Sequence, residues 1–175
     1  PLMTCRFSTL LYGLDRAHQS PVVLRRLEAD TADRDARTQM LREGRYLSRL
    51  QHRNLPRVQE IVEDRGVVYL VLEEFEGKLL EEVSKEHPEG LAGEMLRRYL
   101  DQFLDVLEFL HGQDPPLIHR DLRPDSLLVT PHGVLKLAEF GLARMVDSAA
   151  PAPDGRQTAF RSQGNPYYAA PEQLL

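Results

Sequence analysis

The stretch "LIHRDLRPDSLLV", residues 117–129, decides how the rest of the chain is interpreted. Two apolar residues lead into a His-Arg-Asp triplet, which is followed by a proline turn and a short apolar run typical of a strand. Such a turn exposes Asp121 at the edge of a cleft, where its carboxylate can accept a proton from a hydroxyl group. The triplet alone is a weak signal, because His-Arg-Asp also occurs by chance and often caps a turn, so its context has to decide.

Two further motifs follow this stretch. The sequence "LKLAEFGLAR", residues 135–144, predicts a short strand that runs into a glycine turn, with Glu139 two positions before Gly141. Near the end of the chain, "GNPYYAAPEQL", residues 164–174, contains the triplet Ala-Pro-Glu. Between them, the small and proline-bearing segment "SAAPAPDG" predicts a surface loop.

Upstream of residue 117, the hydrophobic periodicity predicts strands first and helices later. The strongest pattern is a long amphipathic helix ended by Gly112, with apolar residues at spacings of four and three: Leu96, Leu100, Phe103, Leu107 and Leu110. The other predicted elements are strands at 21–27, 58–62 and 67–72, a helix from 29 to 50, a short helix from 79 to 85, and a hairpin made by "SLLVT" and "VLKL".

With these features in this order, the chain resembles the eukaryotic-type protein kinase family, and more specifically its bacterial Ser/Thr branch. The matching features are a "VVLR" strand, a helix that carries Glu43, a hairpin into "VLEEFEG", the long helix, the HRDL loop, a DFG-like turn and the APE triplet. The resemblance covers roughly residues 10–175. It implies an α+β, two-lobed fold, with an antiparallel sheet and one helix in the small lobe and a mainly helical large lobe.

The resemblance also implies a domain organisation. We expect one partial kinase-like domain over residues 1–175, with the small lobe at 1–75 and the start of the large lobe, including the catalytic loop and activation segment, at 76–175. Because the sequence stops just after the APE triplet, we expect it to be a truncated fragment of a longer protein.

The catalytic residues follow from the same resemblance, position by position. Asp121 matches the catalytic-loop aspartate that orients and deprotonates the substrate hydroxyl. Arg123 lies where Ser/Thr kinases have a phosphate-facing lysine, so the charge is kept but the shape differs. His119 is interpreted as a packing and hydrogen-bonding anchor and not as a base.

Two positions of the resemblance concern a metal ion. Ser126 lies where the family has an asparagine that helps to hold a metal ion and the nucleotide, and a hydroxyl is a shorter and weaker ligand. Glu139 takes the place of the DFG aspartate, which chelates the magnesium that bridges the ATP phosphates. The extra methylene moves its carboxylate outward, and magnesium demands near-ideal octahedral geometry. We therefore expect a weakened magnesium site.

Four further residues match the family's nucleotide-binding positions. Arg25 stands where the family has the lysine that binds the α- and β-phosphates, and Glu43 matches the helix partner of that lysine. An Arg25–Glu43 ion pair is feasible, and we favour a structural salt bridge, because a guanidinium crowds the phosphates. The adenine is expected at the hinge, residues 73–76, which includes Glu74, with Leu72 behind it.

The glycine-rich loop of the family is missing. Its expected place reads "MTCRFST", and no glycine occurs from Pro1 to Tyr12. Without glycine, the backbone there cannot approach phosphates as a Gly-x-Gly turn does.

Composition limits the function classes. The chain has 175 residues, a formal net charge of −5 and one cysteine, which argues against a nucleic-acid surface and indicates a reducing, cytoplasmic setting. The longest apolar run, residues 67–72, is too short to span a bilayer, so we expect no membrane segment in this stretch.

Two hypotheses remain for the function. The first is a pseudokinase or impaired kinase that acts by binding a regulatory protein partner, because several phosphate- and metal-handling positions have changed together. The second is an active Ser/Thr kinase that transfers phosphate from ATP, with Mg²⁺, to a protein substrate, because Asp121 and Glu43 are intact and most substitutions keep their charge. A small-molecule phosphotransferase is disfavoured by the APE ending. A magnesium-dependent thermal shift with ATP separates the first two.

Overall fold

An antiparallel sheet of five strands forms the first part of the chain. The computed structural model describes residues 3–4, 8–27, 38, 41, 44–140, 143–145 and 166–171. The strands are β1 (Met3–Thr4), β2 (Ser8–Asp15), β3 (Ser20–Leu27), β4 (Val58–Asp64) and β5 (Val67–Glu73). They lie in the spatial order β1-β2-β3-β5-β4, which confirms the antiparallel sheet expected for the small lobe.

The β4–β5 hairpin shows why this part of the sequence forms a sheet. Its two-residue turn, Arg65-Gly66, has φ values of 49° and 82°, the mirror-image turn that suits twisted strands. Along β5 the buried side chains alternate with half-buried ones, and Val68, Leu70 and Leu72 are at most 4% exposed. This alternation directs one face of the sheet into the core.

A helix packs against the sheet between β3 and β4. Helical backbone is described at residues 38, 41 and 44–47, and this helix is called α1. Gly44 is the point of closest approach: a Cβ atom there would lie 2.6 Å from Leu70 Cδ2 and 2.9 Å from Ile61 Cδ1. Glycine is therefore needed at this position to let the helix backbone approach the sheet.

The second part of the chain contains helices and short strands. Their bounds are β6 (Lys78–Leu79), α2 (Leu80–Lys85), α3 (Gly93–His111), β7 (Leu117–Ile118), β8 (Leu127–Val129), β9 (Leu135–Leu137) and β10 (Arg144–Met145), with a 3₁₀ turn at Pro124–Ser126. Strands β6, β8 and β9 form one small sheet, and β7 pairs with β10. This order confirms the α+β, kinase-like architecture. The lobe boundary at residues 75 and 76 stays a prediction.

Helix α3 ends where the sequence predicts, but its buried face differs from the predicted apolar stripe. Leu96 and Leu100 are 44% and 47% exposed, whereas the buried residues are Tyr99, Gln102, Val106 and Leu110. The prediction missed Gln102 because a polar side chain is buried only when it finds hydrogen-bond partners. Among the described residues, no helix is both long and apolar enough to cross a membrane.

The hydrogen-bond partners of Gln102 join the loop after α1 to the second part of the chain. The Gln102 Oε1 atom accepts hydrogen bonds from Asn54 Nδ2 and from the Leu135 amide, each at 3.0 Å. Asn54 Nδ2 also donates to the Leu135 carbonyl at 2.7 Å, and the Leu137 amide donates to the Asn54 carbonyl at 2.8 Å. The network holds α3, β9 and the Asn54 loop together.

The close approach at Gly44 generates a test. Gly44→Ala gains helix propensity worth about 1 kcal/mol, but overpacking a filled core costs about 1–3 kcal/mol. We expect a net loss of roughly 1 kcal/mol, the middle of a range from about 0 to 2 kcal/mol, in the free energy of unfolding, measured by urea denaturation. Gly93→Ala is the control, since no atom lies within 4 Å of a Cβ at that helical position. Equal or greater stability of Gly44→Ala would contradict the close-approach argument.

Candidate functional site

The β8–β9 hairpin brings the candidate site residues together. Leu127 lies opposite Leu137 in register, and the Ala138 amide donates a hydrogen bond to the Ser126 carbonyl at 2.8 Å. This pairing places Ser126 beside the turn that carries Glu139. The loop that contains the HRD triplet directly precedes β8, and the turn with Glu139 directly follows β9. The β8–β9 hairpin therefore brings residues of these two motifs close together.

An ion pair connects this hairpin to the five-stranded sheet. Arg25 Nη2, on β3, lies 3.5 Å from Glu139 Oε2, after β9, and both side chains are 7% exposed. Glu139 has φ 61°, in the left-handed region that residues other than glycine rarely adopt. Such a conformation persists only where the surroundings enforce it. The expected partner of Arg25, Glu43, lies outside the described residues.

Asp121 and Arg123 lie together in the catalytic loop. Arg123 Nε is 3.4 Å from Asp121 Oδ1, and Arg123 Nη2 is 2.8 Å from Asp125 Oδ2. Both Asp121 and Arg123 are buried, with side chains 6% and 7% exposed. The guanidinium therefore lies between two carboxylates of its own loop, which leaves it less free to reach a phosphate than the expected role requires.

Ser126 uses its hydroxyl group to close the same loop. Its Oγ atom donates a hydrogen bond to the Arg123 carbonyl at 2.8 Å and accepts one from the Arg123 amide at 3.1 Å. The residue is fully buried. The only proton of the hydroxyl is thus engaged inside the loop, and one acceptor lone pair is also used.

His119 anchors the loop in its neutral form. Its Nε2 atom lies 2.8 Å from the Ala138 carbonyl, to which it donates, and Nδ1 accepts from the Asp121 amide at 3.3 Å. Burial lowers the pKa of His119 to about 4. The ring also meets Phe140 edge to face, with centroids 4.7 Å apart. These contacts agree with the anchoring role expected from the sequence.

A small cavity lies beside the ion pair. Its volume is about 20 Å³, which has room for roughly one water molecule. Leu72 lines the cavity, and its expected position behind a nucleotide stays a prediction. Glu74 does not line this cavity. It is exposed and borders a separate surface groove.

The sequence analysis missed three residues of this site. Leu10 and Leu128 line the cavity, and Asp125 both lines it and pairs with Arg123. Leu10 could have been found from strand pairing, because it lies opposite Arg25 in the β2–β3 register. The signal for Asp125 was the proline turn in "RPD", which returns the chain towards Arg123.

The side chains present fit a magnesium ion poorly. Glu139 already faces Arg25, and the Ser126 hydroxyl is already bonded within its loop. Magnesium prefers several unhindered oxygen ligands in octahedral geometry, and the protein itself engages both predicted ones.

The fold and the site together define a domain of the kinase type, in which a sheet-forming lobe meets a catalytic loop and a DFG-like turn. The chain belongs to the protein kinase domain family, whose model matches residues 5–175. It is 31% identical to a probable serine/threonine-protein kinase of Dictyostelium discoideum over 96% of this chain and 32% of that protein.

Other relatives give the same result. The chain is 35% identical to CBL-interacting protein kinase 19 of rice, over 88% of this chain and 29% of the relative. It is 30% identical to mouse cyclin-dependent kinase-like 5, over 88% of this chain and 16% of the relative. The chain thus spans about a third or less of the length of these relatives.

The buried ion pair can be tested by a double-mutant cycle. Arg25→Met leaves the Glu139 carboxylate buried without this partner, so we expect the free energy of unfolding to fall by roughly 3 kcal/mol. Adding Glu139→Met should recover most of that loss, because both buried charges are then gone. Urea denaturation measures each variant.

The control for this cycle is Lys85→Met, which breaks the exposed Lys85–Glu81 pair of 2.9 Å and should cause no measurable change. Additive losses in the Arg25 and Glu139 double variant would show that the two side chains do not interact.

Burial of neutral His119 predicts a pH dependence of stability. Between pH 6.5 and about 4 the unfolded chain binds a proton that the folded His119 does not. The contribution of His119 to the free energy of unfolding is therefore fully present above pH 6.5. It falls as the pH is lowered below 6.5, by up to about 1.4 kcal/mol per pH unit. We expect His119→Gln to flatten the curve of unfolding free energy against pH, whereas exposed His111→Gln should leave its slope unchanged. Equal slopes in wild type and His119→Gln would contradict the assignment.

Proposed function

We propose that this kinase-family domain acts mainly as a binding module, a pseudokinase in which phosphoryl transfer from ATP to protein Ser or Thr is impaired or lost. The observation that carries the proposal is the buried Arg25–Glu139 pair at 3.5 Å. The residue expected to bind phosphates and the residue expected to bind magnesium neutralise each other inside the protein.

Nucleotide binding would have to break this arrangement. Magnesium-ATP needs Glu139 for the metal and Arg25 for the phosphates, so binding costs the existing pair before any new contact forms. We therefore infer weak ATP binding.

The sequence before β2 adds a second argument. No glycine occurs from Pro1 to Tyr12, where the family resemblance predicts a glycine-rich loop. Glycine is the residue that lets backbone amides approach phosphate oxygens most closely, so its absence from this stretch supports weak phosphate binding.

Each of these changes affects a separate part of catalysis. Removing one electrostatic contact to the transition state typically costs about 10²-fold or more in rate. The losses are not additive when the residues act as a unit, but changes to the metal ligands, the phosphate cation and the glycine-rich loop together support very slow transfer.

The alternative is an active Ser/Thr kinase that uses ATP and Mg²⁺ with atypical Arg25, Ser126 and Glu139. One observation favours it: the positive φ of Glu139, 61°, turns its carboxylate towards Arg25 on the opposite lobe, where a phosphate-bound metal would be needed. Asp121 is also retained as the base, and the named relatives are protein kinases by their descriptions. In this case a protein substrate replaces the regulatory protein partner.

The biological setting remains part of the proposal. The sequence predicts a cytoplasmic protein of the bacterial Ser/Thr kinase branch, but the relatives named above are eukaryotic, so they lend the bacterial affiliation no support. We retain the cytoplasmic location as a prediction from the single cysteine.

Thermal shift and phosphoryl transfer test the proposal on the intact protein. We expect ATP with Mg²⁺ to raise the melting temperature little, and labelled ATP to give transfer far below the 1–100 s⁻¹ typical of kinases. Glu139→Asp combined with Arg25→Lys should increase magnesium-dependent ATP affinity by at least about tenfold, because the shorter carboxylate and the point charge suit the metal and phosphates.

Asp121→Asn is the control, and it should abolish any residual transfer that originates in this domain. A large magnesium-dependent shift together with ordinary turnover of the unmodified protein would overturn the proposal in favour of the active kinase. An unchanged affinity in the Glu139→Asp, Arg25→Lys variant would show that these two side chains do not limit binding.

A further inference from the structure

A second concave surface lies outside the ATP cleft. It is a groove of about 360 Å³ formed by the loop after α1, the end of β5 and strand β9. None of its lining residues borders the cavity beside the Arg25–Glu139 pair. The residues that line it are Leu50, Gln51, His52, Arg53, Leu55, Arg57, Glu73 and Lys136.

Two arginines give this groove its charge. Arg53 and Arg57 are both exposed, and neither side chain makes an ion pair or hydrogen bond within the described ranges. The one carboxylate of the groove, Glu73, is neutralised by Lys136 at 2.8 Å. The groove is therefore cationic on a chain whose formal net charge is −5.

The backbone that carries the two arginines is held firmly. Asn54, between them, is fully buried and bonds to Gln102 and to the Leu135 carbonyl. Lys136 Nζ donates to the Leu55 carbonyl at 3.1 Å. Because the loop is already ordered, a ligand that binds the guanidinium groups loses less free energy in ordering them.

We propose that this Arg53–Arg57 groove binds an acidic segment of a partner protein through its carboxylate side chains. The planar guanidinium group matches a carboxylate in a bidentate geometry, and such charge-assisted hydrogen bonds are about twice as strong as neutral ones. Clusters of arginine are a recurring way to recognise acidic peptide motifs. The groove volume, about 360 Å³, lies within the range of pockets that hold a few side chains.

The charges around the groove restrict which ligand can bind there. The adjoining groove shares Arg53 but carries three glutamates, Glu73, Glu74 and Glu76. Glu73 is paired with Lys136, but Glu74 and Glu76 repel further negative charge, so an acidic segment binds across Arg53 and Arg57 without extending into the adjoining groove. A long polyanion such as nucleic acid meets both this acidic rim and the net charge of −5, which argues against it. The inference concerns this surface alone and holds whether or not the cleft transfers phosphate.

Fluorescence anisotropy with a labelled hexaglutamate peptide at low salt tests the proposal on the intact protein. We expect saturable binding that weakens as salt is added, and no binding of hexaglutamine or hexalysine. The double variant Arg53→Gln, Arg57→Gln should lose at least about tenfold in affinity. Its melting temperature should be unchanged, because both side chains are exposed.

The matched control is Arg45→Gln, Arg49→Gln, which removes the same charge at the same spacing from two exposed arginines that do not line the groove. This control should retain the affinity of the unmodified protein. An equal loss in both double variants, no binding of hexaglutamate, or tighter binding of a thymidine oligonucleotide at the same arginines would each overturn the proposal.

Discussion

The contact between Arg25 and Glu139 is the interaction on which the interpretation of this domain depends. It joins a strand of the sheet to the turn after β9, with 3.5 Å between the two charged atoms and both side chains almost fully buried. Separating two charges that are removed from water has a cost that an exposed pair does not carry. In a kinase cleft, these two positions are where phosphate and metal must enter.

The rest of the site is built in a similar way, with its charged and hydroxyl groups facing near neighbours. Arg123 lies between Asp121 and Asp125, and the Ser126 hydroxyl closes the loop by bonding to the Arg123 backbone. His119 is neutral and ties the loop to Ala138. A catalytic centre keeps groups available for its substrate, whereas here the protein supplies most of the partners. Because these polar groups interact with one another, we expect a binding role rather than catalysis.

The Arg53–Arg57 groove presents a contrasting situation. Around Asn54, buried amide hydrogen bonds fix the loop in place, and the exposed arginines on either side of it are left for another molecule. The ion pair beside the cleft and the cationic groove are together the observations behind the proposed binding role. The network through Gln102 also explains why a polar residue occupies the buried face of α3, where the apolar pattern predicted a leucine stripe.

The sequence by itself determined the family, strands β3, β4 and β5, the hairpins and the end of α3, because these depend on motifs and on patterns between residues close in the chain. It did not predict β1 and β2, whose residues 1–20 show no clear periodicity. It also identified Asp121, Arg123, Arg25, Leu72, Ser126 and Glu139 as the positions of interest through the resemblance. Only the tertiary structure decided which charges meet. The pairing of Arg25 with Glu139 and the groove formed by the Asn54 loop, Glu73 and Lys136 join elements that are distant in sequence, and no local pattern encodes where such elements bring their side chains.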